Sequence, residues 1–310
     1  MELLRPDSIE QATAALGNGS VGLAGGTEVV PLLRDRLLEA DRLVRLDRVV
    51  PRGIDGGRIG AGTTLAELEV DPQVPDALRE ACRLAASPQL RAMGTIGGNL
   101  LQATRCWYWR LHFPCWLHGG ERCHAREGEH REHAIFGNGR CASAHPSDPA
   151  AALLALGATL RTDRRELPVA ELYRLPTHDD RSTTTLEAGE LILELDVPQP
   201  DASTYLKAMD RKVWAFAVVG VAAAVRMVDG RIEDARLMLS GVAPVPWPAR
   251  AAERELLGQV PSDALFMRAA ELAVAAATPL ARNGYKVPLT RVLVRRALAR
   301  VAGDAAEQSG

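Results

Sequence analysis

Four of the five cysteines, Cys106, Cys115, Cys123 and Cys141, fall in one stretch of this 310-residue chain. Six of the seven histidines, His112, His118, His124, His130, His133 and His145, lie in or beside the same stretch. Aromatic residues make up only 4% of the sequence, yet Trp107, Tyr108, Trp109, Phe113 and Trp116 crowd into it. Thiolates are soft metal ligands and imidazoles bind metals as well, so their concentration in one loop-like segment points to a site more than to a core. Eight, seven and seventeen residues separate the cysteines, with no C-x-x-C pair. Zinc sites are usually built from such close pairs, and their absence weighs against zinc. A four-iron cluster is bulky, and widely spaced thiolates on a wrapping loop can reach its corners. Disulfides are a third chemistry, disfavoured here because Glu2 and Pro6 stand where a secretory signal would carry basic and then apolar residues. Of the histidines, His124 and His133 are candidate ligands, and a polar loop surface accounts for most of them. Cys82 falls on the apolar face of a predicted helix and reads as a core thiol.

Two glycine turns form the second group. Gly25-Gly26-Thr27 follows an apolar strand and precedes a helix, and Gly94-Thr95-Ile96-Gly97-Gly98-Asn99 follows a longer helix. Consecutive glycines let backbone N–H groups converge on an anion, because no side chain blocks the approach and positive φ is permitted. Thr27 and Asn99 add side-chain donors. The G-x-G-x-x-G fingerprint is absent, since Gly60-Ala61-Gly62 is followed by Leu65 in the third glycine position, which argues against a Rossmann domain. Spacing alone leaves a phosphate site and an ordinary tight turn both open.

The elements that must position these groups follow from periodicity and caps. Capping-box patterns at Ser8–Gln11 and Thr64–Glu67 open two helices. Strands are expected over 21–24, 43–46 and 58–61, and helices over 29–37, 76–86 and 149–156. Residues 191–197 alternate as a half-buried strand, and the β-rich runs 215–227 and 231–240 flank an Asp229-Gly230 turn, which predicts an antiparallel meander. Alanine-rich helices over 249–257, 262–277 and 289–301 finish the chain. The polar string at 177–185, after Pro176, reads as a linker. The class is α+β in two domains. Lys plus Arg (37) nearly balance Asp plus Glu (39), so no basic field for nucleic acid exists. The longest apolar run, 215–225, is shorter than the roughly 20 residues a membrane helix needs, so no membrane span is expected.

The segments VGLAGGTEVVPLL, GTIGGNLLQATRC and AHPSDPAAALLALGATL resemble the FAD-binding medium subunits of the molybdenum hydroxylases, the family of xanthine dehydrogenase, carbon monoxide dehydrogenase and aldehyde oxidoreductase flavoproteins. The resemblance continues through LEAGELILELDVP, YLKAMDRKVWAFAVV, LSGVAPVPWPA and NGYKVPLTRVLVRRAL, nearly the whole chain. It implies an FAD-binding domain of the vanillyl-alcohol-oxidase (PCMH) type over 1–175, in subdomains of about 1–53 and 54–175. A C-terminal domain of antiparallel sheet with helices over 180–287, and a helix and tail over 288–310, would follow. It also implies site residues. Ala24, Gly25, Gly26, Thr27 and Glu28, with Thr95, Ile96, Gly97, Gly98 and Asn99, would wrap the FAD pyrophosphate. Ser147 and Asp148 would bind the ribityl and phosphate region, although the sequence SDPAAALL also reads as a helix N-cap. Leu186 and Lys207 would lie near the isoalloxazine. Two branches of the family carry an extra 4Fe-4S cluster: 4-hydroxybenzoyl-CoA reductase and certain bacterial aldehyde oxidoreductases. The long gap before the last cysteine, with HAIFG at 133–137, is similar to the second branch. It implies Cys106, Cys115, Cys123 and Cys141, on a loop over 104–142, as cluster ligands.

The resemblance thus implies an electron-transfer subunit of a heterotrimer rather than a complete enzyme, with no catalytic residue of its own. A large molybdenum-cofactor subunit would oxidise substrate, a small 2Fe-2S subunit would relay electrons to FAD here, and an external acceptor would take them away. A cytoplasmic location is expected, or export on a partner's signal. Two rival readings are a self-contained flavin oxidoreductase of the same fold, for which the C-terminal half offers no evident acid or base, and a zinc-stabilised binding protein.

Overall fold

The computed structural model describes residues 1–17, 19–212 and 215–308. Three sheets organise it. The first is parallel, in the order β1 (Glu2–Leu4), β3 (Arg42–Arg45), β2 (Ser20–Leu23), with α1 (Ile9–Ala15) and α2 (Val29–Arg34) in the connections. Ser8 caps α1 by accepting from the Gln11 amide, but the Gln11 side chain takes the Asp7 amide, so the expected capping box is only half made. The box at Thr64 and Glu67, opening α3 (Leu65–Leu68), is complete.

The second sheet is antiparallel. Its order is β4 (Ile54–Asp55), β5 (Arg58–Gly60), β8 (Ile192–Asp196), β6 (Thr159–Thr162), β7 (Glu166–Pro168). β8 lies beyond the domain division expected near 175–180, yet it is the central strand of this sheet. Leu191 and Leu193 pack on the core of the first sheet with Val44, while Leu195 and Val197 pack with Ile59 and Leu160 in the core of the second. One strand therefore buries apolar groups in both N-terminal cores, and the chain passes to the third sheet only after it. The helices α4 (Asp76–Leu84), α5 (Pro88–Arg91), α6 (Ile96–Leu100), α7 (Trp107–Arg110), α8 (Asp148–Leu156) and α9 (Val169–Leu172) lie between β5 and β8 in sequence; α6 packs on β8 and α9 on β7, whereas α4 and α8 also reach the strands of the third sheet. All nine residues of α8, DPAAALLAL, are buried. A helix apolar all round belongs in an interior, and its alanines let other elements approach closely.

The third sheet is the expected antiparallel meander, in the order β12 (Trp247–Pro248), β11 (Arg231–Ser240), β10 (Val219–Val228), β9 (Ala202–Ala208). Asp229 and Gly230 both take positive φ at the β10–β11 connection, which suits the twist of the flanking strands. The helices α10 (Arg250–Leu256) and α12 (Lys286–Gln308) pack on this sheet, and α11 (Asp263–Val274) packs on both of them, in one core with Ala252, Phe266, Val294 and Val301. Of the expected tail, residues 309 and 310 lie outside the described residues, as do 213 and 214 in the YLKAMDRKVWAFAVV segment. No helix among the described residues is long and apolar enough to cross a membrane.

Candidate flavin and thiol sites

The two glycine turns meet. A Cβ on Gly25 would sit 1.7 Å from the Met93 carbonyl oxygen and 3.3 Å from the Gly94 Cα. Only glycine lets the β2–α2 turn lie directly on the chain entering α6. The second turn differs from its expected form. Thr95 is an N-cap, its Oγ1 accepting from the Gly98 amide, and Gly97-Gly98 belong to α6. Gly97 is required because a Cβ there would come within 2.9 Å of the Ala61 Cβ, and its amide donates to the Ala61 carbonyl. Among the described residues, the amides of Gly25, Gly26, Thr27 and Glu28 donate to no protein group. Four consecutive unpaired amides on a part-exposed turn fit a phosphate or pyrophosphate, which supplies the acceptors they lack.

The Glu28 side chain turns elsewhere. Its Oε1 accepts from Arg110 Nη2 (2.6 Å) and the Ala103 amide (3.1 Å), and its Oε2 pairs with Arg105 Nη2 (2.6 Å). The carboxylate thus ties the first glycine turn to the chain on either side of Cys106. Asn99 Oδ1 accepts from Ser147 Oγ at 2.6 Å, and Ser147 in turn caps α8 by accepting from the Ala150 amide. Ser147 is fully buried.

Asp148 and Lys207 form a buried ion pair at 2.7 Å, their side chains 3% and 1% exposed. Asp148 also accepts from Tyr205 OH at 2.5 Å, and Tyr205 OH lies 2.8 Å from Ser240 Oγ. The Lys207 ammonium donates to Asp148 and to the carbonyls of Leu84 and Ala215, which occupies its three N–H groups. No N–H on Lys207 is left for a further partner. Leu186 lines a cavity of about 440 Å³, with Leu101, Gln102, Pro146 and Arg181 among its walls.

All four crowded cysteines line one small pocket, together with Tyr108, Trp116 and Ser143. Cys106 immediately precedes α7, and Cys115 and Cys123 precede single 3₁₀ turns at Trp116–His118 and His124–Arg126. As a result the amides of Tyr108 and Trp109 face the Cys106 sulfur, and those of Leu117 and His118 face the Cys115 sulfur. The amides of Ala125 and Arg126 face Cys123 in the same way. Donors aimed at sulfur favour the thiolate, the form that binds metal. Burial pushes the Cys106 thiol up, to about 11. The Cys141 thiol donates to Cys123 and pulls it down to about 6, while Cys141 itself is held protonated. Cys82, by contrast, is wholly buried in the core of the second sheet.

Among the described residues, no three His, Cys, Asp or Glu side chains stand where they could share one metal ion. The four cysteines nevertheless line one pocket, in which Cys123 and Cys141 hydrogen-bond to each other. His124 lines this pocket, whereas His133 lies behind Cys106 and lines the neighbouring cavity. His133 Nε2 is 3.2 Å from Cys106 Sγ, and its ring stands edge-on to Trp107 at 4.8 Å. Burial lowers His133 to about 4, so its imidazole is neutral at ordinary pH.

Several site residues have no local signature in sequence. Arg105, Arg110, Tyr205 and Ser143 are ordinary residues until folding places them. Ser143 Oγ lies 3.3 Å from Cys141 Sγ, and its nearness to a cysteine is the one cue that could have singled it out.

Residues 1–200 match the family described as the FAD binding domain in molybdopterin dehydrogenase, and residues 204–301 match the CO dehydrogenase flavoprotein C-terminal domain. The chain belongs to the FAD-binding medium subunits of the molybdenum hydroxylases. The medium subunit is 34% identical to the aldehyde oxidoreductase FAD-binding subunit PaoB of Escherichia coli K12, over 94% of this chain and 93% of that one. It is 28% identical to the carbon monoxide dehydrogenase medium chain of Hydrogenophaga pseudoflava, over 94% of each. A solved carbon monoxide dehydrogenase from Hydrogenophaga pseudoflava, in a form lacking the Mo-pyranopterin moiety, superimposes with a TM-score of 0.74. That match has 27% identity over 98% of both chains. The mixed α+β fold, with an FAD-binding domain followed by an antiparallel sheet and helices, is that of this family, and the medium subunit is an oxidoreductase subunit.

Proposed function

We propose that this medium subunit is the electron-exit module of a three-subunit, molybdenum-dependent hydroxylase of the aldehyde oxidoreductase type, carrying FAD and a 4Fe-4S cluster. The observation that carries the finer part of this reading is the convergence of Cys106, Cys115, Cys123 and Cys141 on one pocket, three of them facing amide donors from the turns that follow. The similarity to an aldehyde oxidoreductase subunit over almost the whole chain supports the substrate class. The large partner would hold the molybdenum cofactor and oxidise substrate, and a small 2Fe-2S partner would deliver electrons. Flavin and cluster supply one-electron chemistry when bound, and the flavin can also pass on two electrons together.

The chain's own residues bind and position. The unpaired amides of Gly25, Gly26, Thr27 and Glu28 would hold the pyrophosphate, with Thr95, Ile96, Gly97, Gly98 and Asn99 forming the opposite wall. Ser147 would act through Asn99, which it holds by hydrogen bond. Asp148 and Lys207 would act as buried supports beneath α8 and β9 rather than as flavin contacts, and Leu186 would form a wall of the ring cavity. The thiolates would hold the cluster. The flavin-binding domain would run to about residue 200, since β8 completes its sheet. A cytoplasmic location and an external acceptor complete the reading.

The test is an anaerobic absorption spectrum with iron, zinc and flavin assays on the purified protein. About four irons and one FAD per chain are expected. Cys141→Ser should lower iron severalfold, broaden or bleach the visible iron–sulfur bands, and leave the FAD content unchanged. Zinc in place of iron, or a Cys141→Ser protein with full iron, overturns the cluster. Absence of flavin overturns the whole reading.

A further inference from the structure

The most detailed contact outside the flavin region is between the C-terminal domain and the return limb of the cysteine loop. Four of the five residues 282–286, just before and at the start of α12, hold six consecutive residues of that limb. Arg282 pairs with Glu129, and its amide donates to His130 Nε2. Tyr285 OH donates to the Arg131 carbonyl, and Lys286 Nζ donates to the Glu132 carbonyl. Asn283, fully buried, donates from Nδ2 to the carbonyls of both His133 and Ala134. His130 carries the restraint onward, because its Nδ1 donates to the Ala125 carbonyl in the turn behind Cys123. Such residue-by-residue fixing is more than a surface loop needs. It sets the position of one side chain above all, His133.

His133 is 3% exposed, and its Nε2 lies 3.2 Å from Cys106 Sγ. Its Nδ1 is buried with no partner among the described residues. A neutral imidazole has one N–H. Were the proton on Nδ1, a buried donor would be left unsatisfied, and Nε2 would point a lone pair at a sulfur that becomes a thiolate on binding metal. With the proton on Nε2, the N–H meets the sulfur and only an acceptor is left over, the less costly arrangement. We propose that His133 is a positioning residue that donates its Nε2–H to the Cys106 thiolate and raises the reduction potential of the cluster, held in register by the segment 282–286 of the C-terminal domain. A donor on a ligand sulfur withdraws electron density from it and favours the reduced, more negative state. This inference rests on the four-thiolate reading above.

The experiment compares wild type, His133→Phe and His133→Gln as FAD-loaded, iron-loaded protein in an anaerobic redox titration followed by EPR. His133→Phe keeps the ring volume without a donor, and His133→Gln keeps an N–H near the Nε2 position. With iron content matched, the Phe variant should be harder to reduce by about tenfold in equilibrium, about 59 mV for a one-electron couple. The Gln variant should return most of that shift. An unchanged potential in an iron-replete Phe variant overturns the role of His133 and leaves the cluster standing. If the Phe variant holds no iron, pulsed EPR of reduced wild type labelled with ¹⁵N-histidine decides. A weak nitrogen coupling with an exchangeable proton is expected, and no coupling, or one strong enough for direct ligation, overturns the inference. An iron-free wild type removes the four-thiolate reading and this inference with it.

Discussion

Replacing Lys207 with methionine should destabilise the protein by about 3–5 kcal/mol, because it strands the Asp148 carboxylate, 3% exposed, without its counter-charge. Two further acceptors, the carbonyls of Leu84 and Ala215, would also lose their donor. Tyr205 OH still donates to Asp148, but one neutral hydrogen bond does not offset a buried charge. Urea unfolding of the flavin-free protein measures the loss directly, and the companion Lys207→Met/Asp148→Asn variant should recover a substantial part of it. That recovery is the signature of a pair acting on each other. A loss below about 1 kcal/mol, together with a shifted flavin spectrum in the loaded protein, would mean instead that Lys207 touches the ring.

Gly25→Ala is expected to have the largest effect on cofactor content. The new Cβ would fall 1.7 Å from the Met93 oxygen, a backbone atom that no rotamer change can remove. The two glycine turns must separate, at a cost of about 1–3 kcal/mol for an overpacked contact. The four amides offered by residues 25–28 move with them, so FAD affinity should fall at least tenfold, about 1.4 kcal/mol. The flavin-to-protein ratio after gel filtration and a direct FAD titration read this out. Gly139→Ala is the control, because nothing lies within 4 Å of a Cβ there and its flavin content should match wild type. Equal FAD affinity in Gly25→Ala and wild type would remove the amides of this turn from the pyrophosphate site.

The sequence carried the parts of this protein that are written locally. The strands and helices around the first glycine turn were legible because apolar alternation, caps and consecutive glycines act over a few residues. The same holds for the Thr64–Glu67 capping box and the β10–β11 turn. The crowding of the four cysteines was also legible, since a loop that wraps one pocket keeps the thiols lining it close in sequence. The α6 helix was missed because Gly97 and Gly98 are poor helix formers. Thr95 capping and the fit against Ala61 override that preference.

What the tertiary structure alone decided is which distant groups meet. By itself the sequence determined the composition of the cysteine loop, the glycine turns and the meander, because each is specified by neighbours along the chain. Packing decided that β8 crosses back into the N-terminal sheet, that Glu28 faces Arg105 and Arg110, and that Asp148 and Lys207 neutralise each other in the interior. Packing also brought residues 282–286 onto the far limb of the cysteine loop. Periodicity reports that a side chain is buried but not what it is buried against. A charged group of ordinary type, such as Lys207, takes its role from whichever carboxylate and carbonyls folding leaves within 3 Å of it.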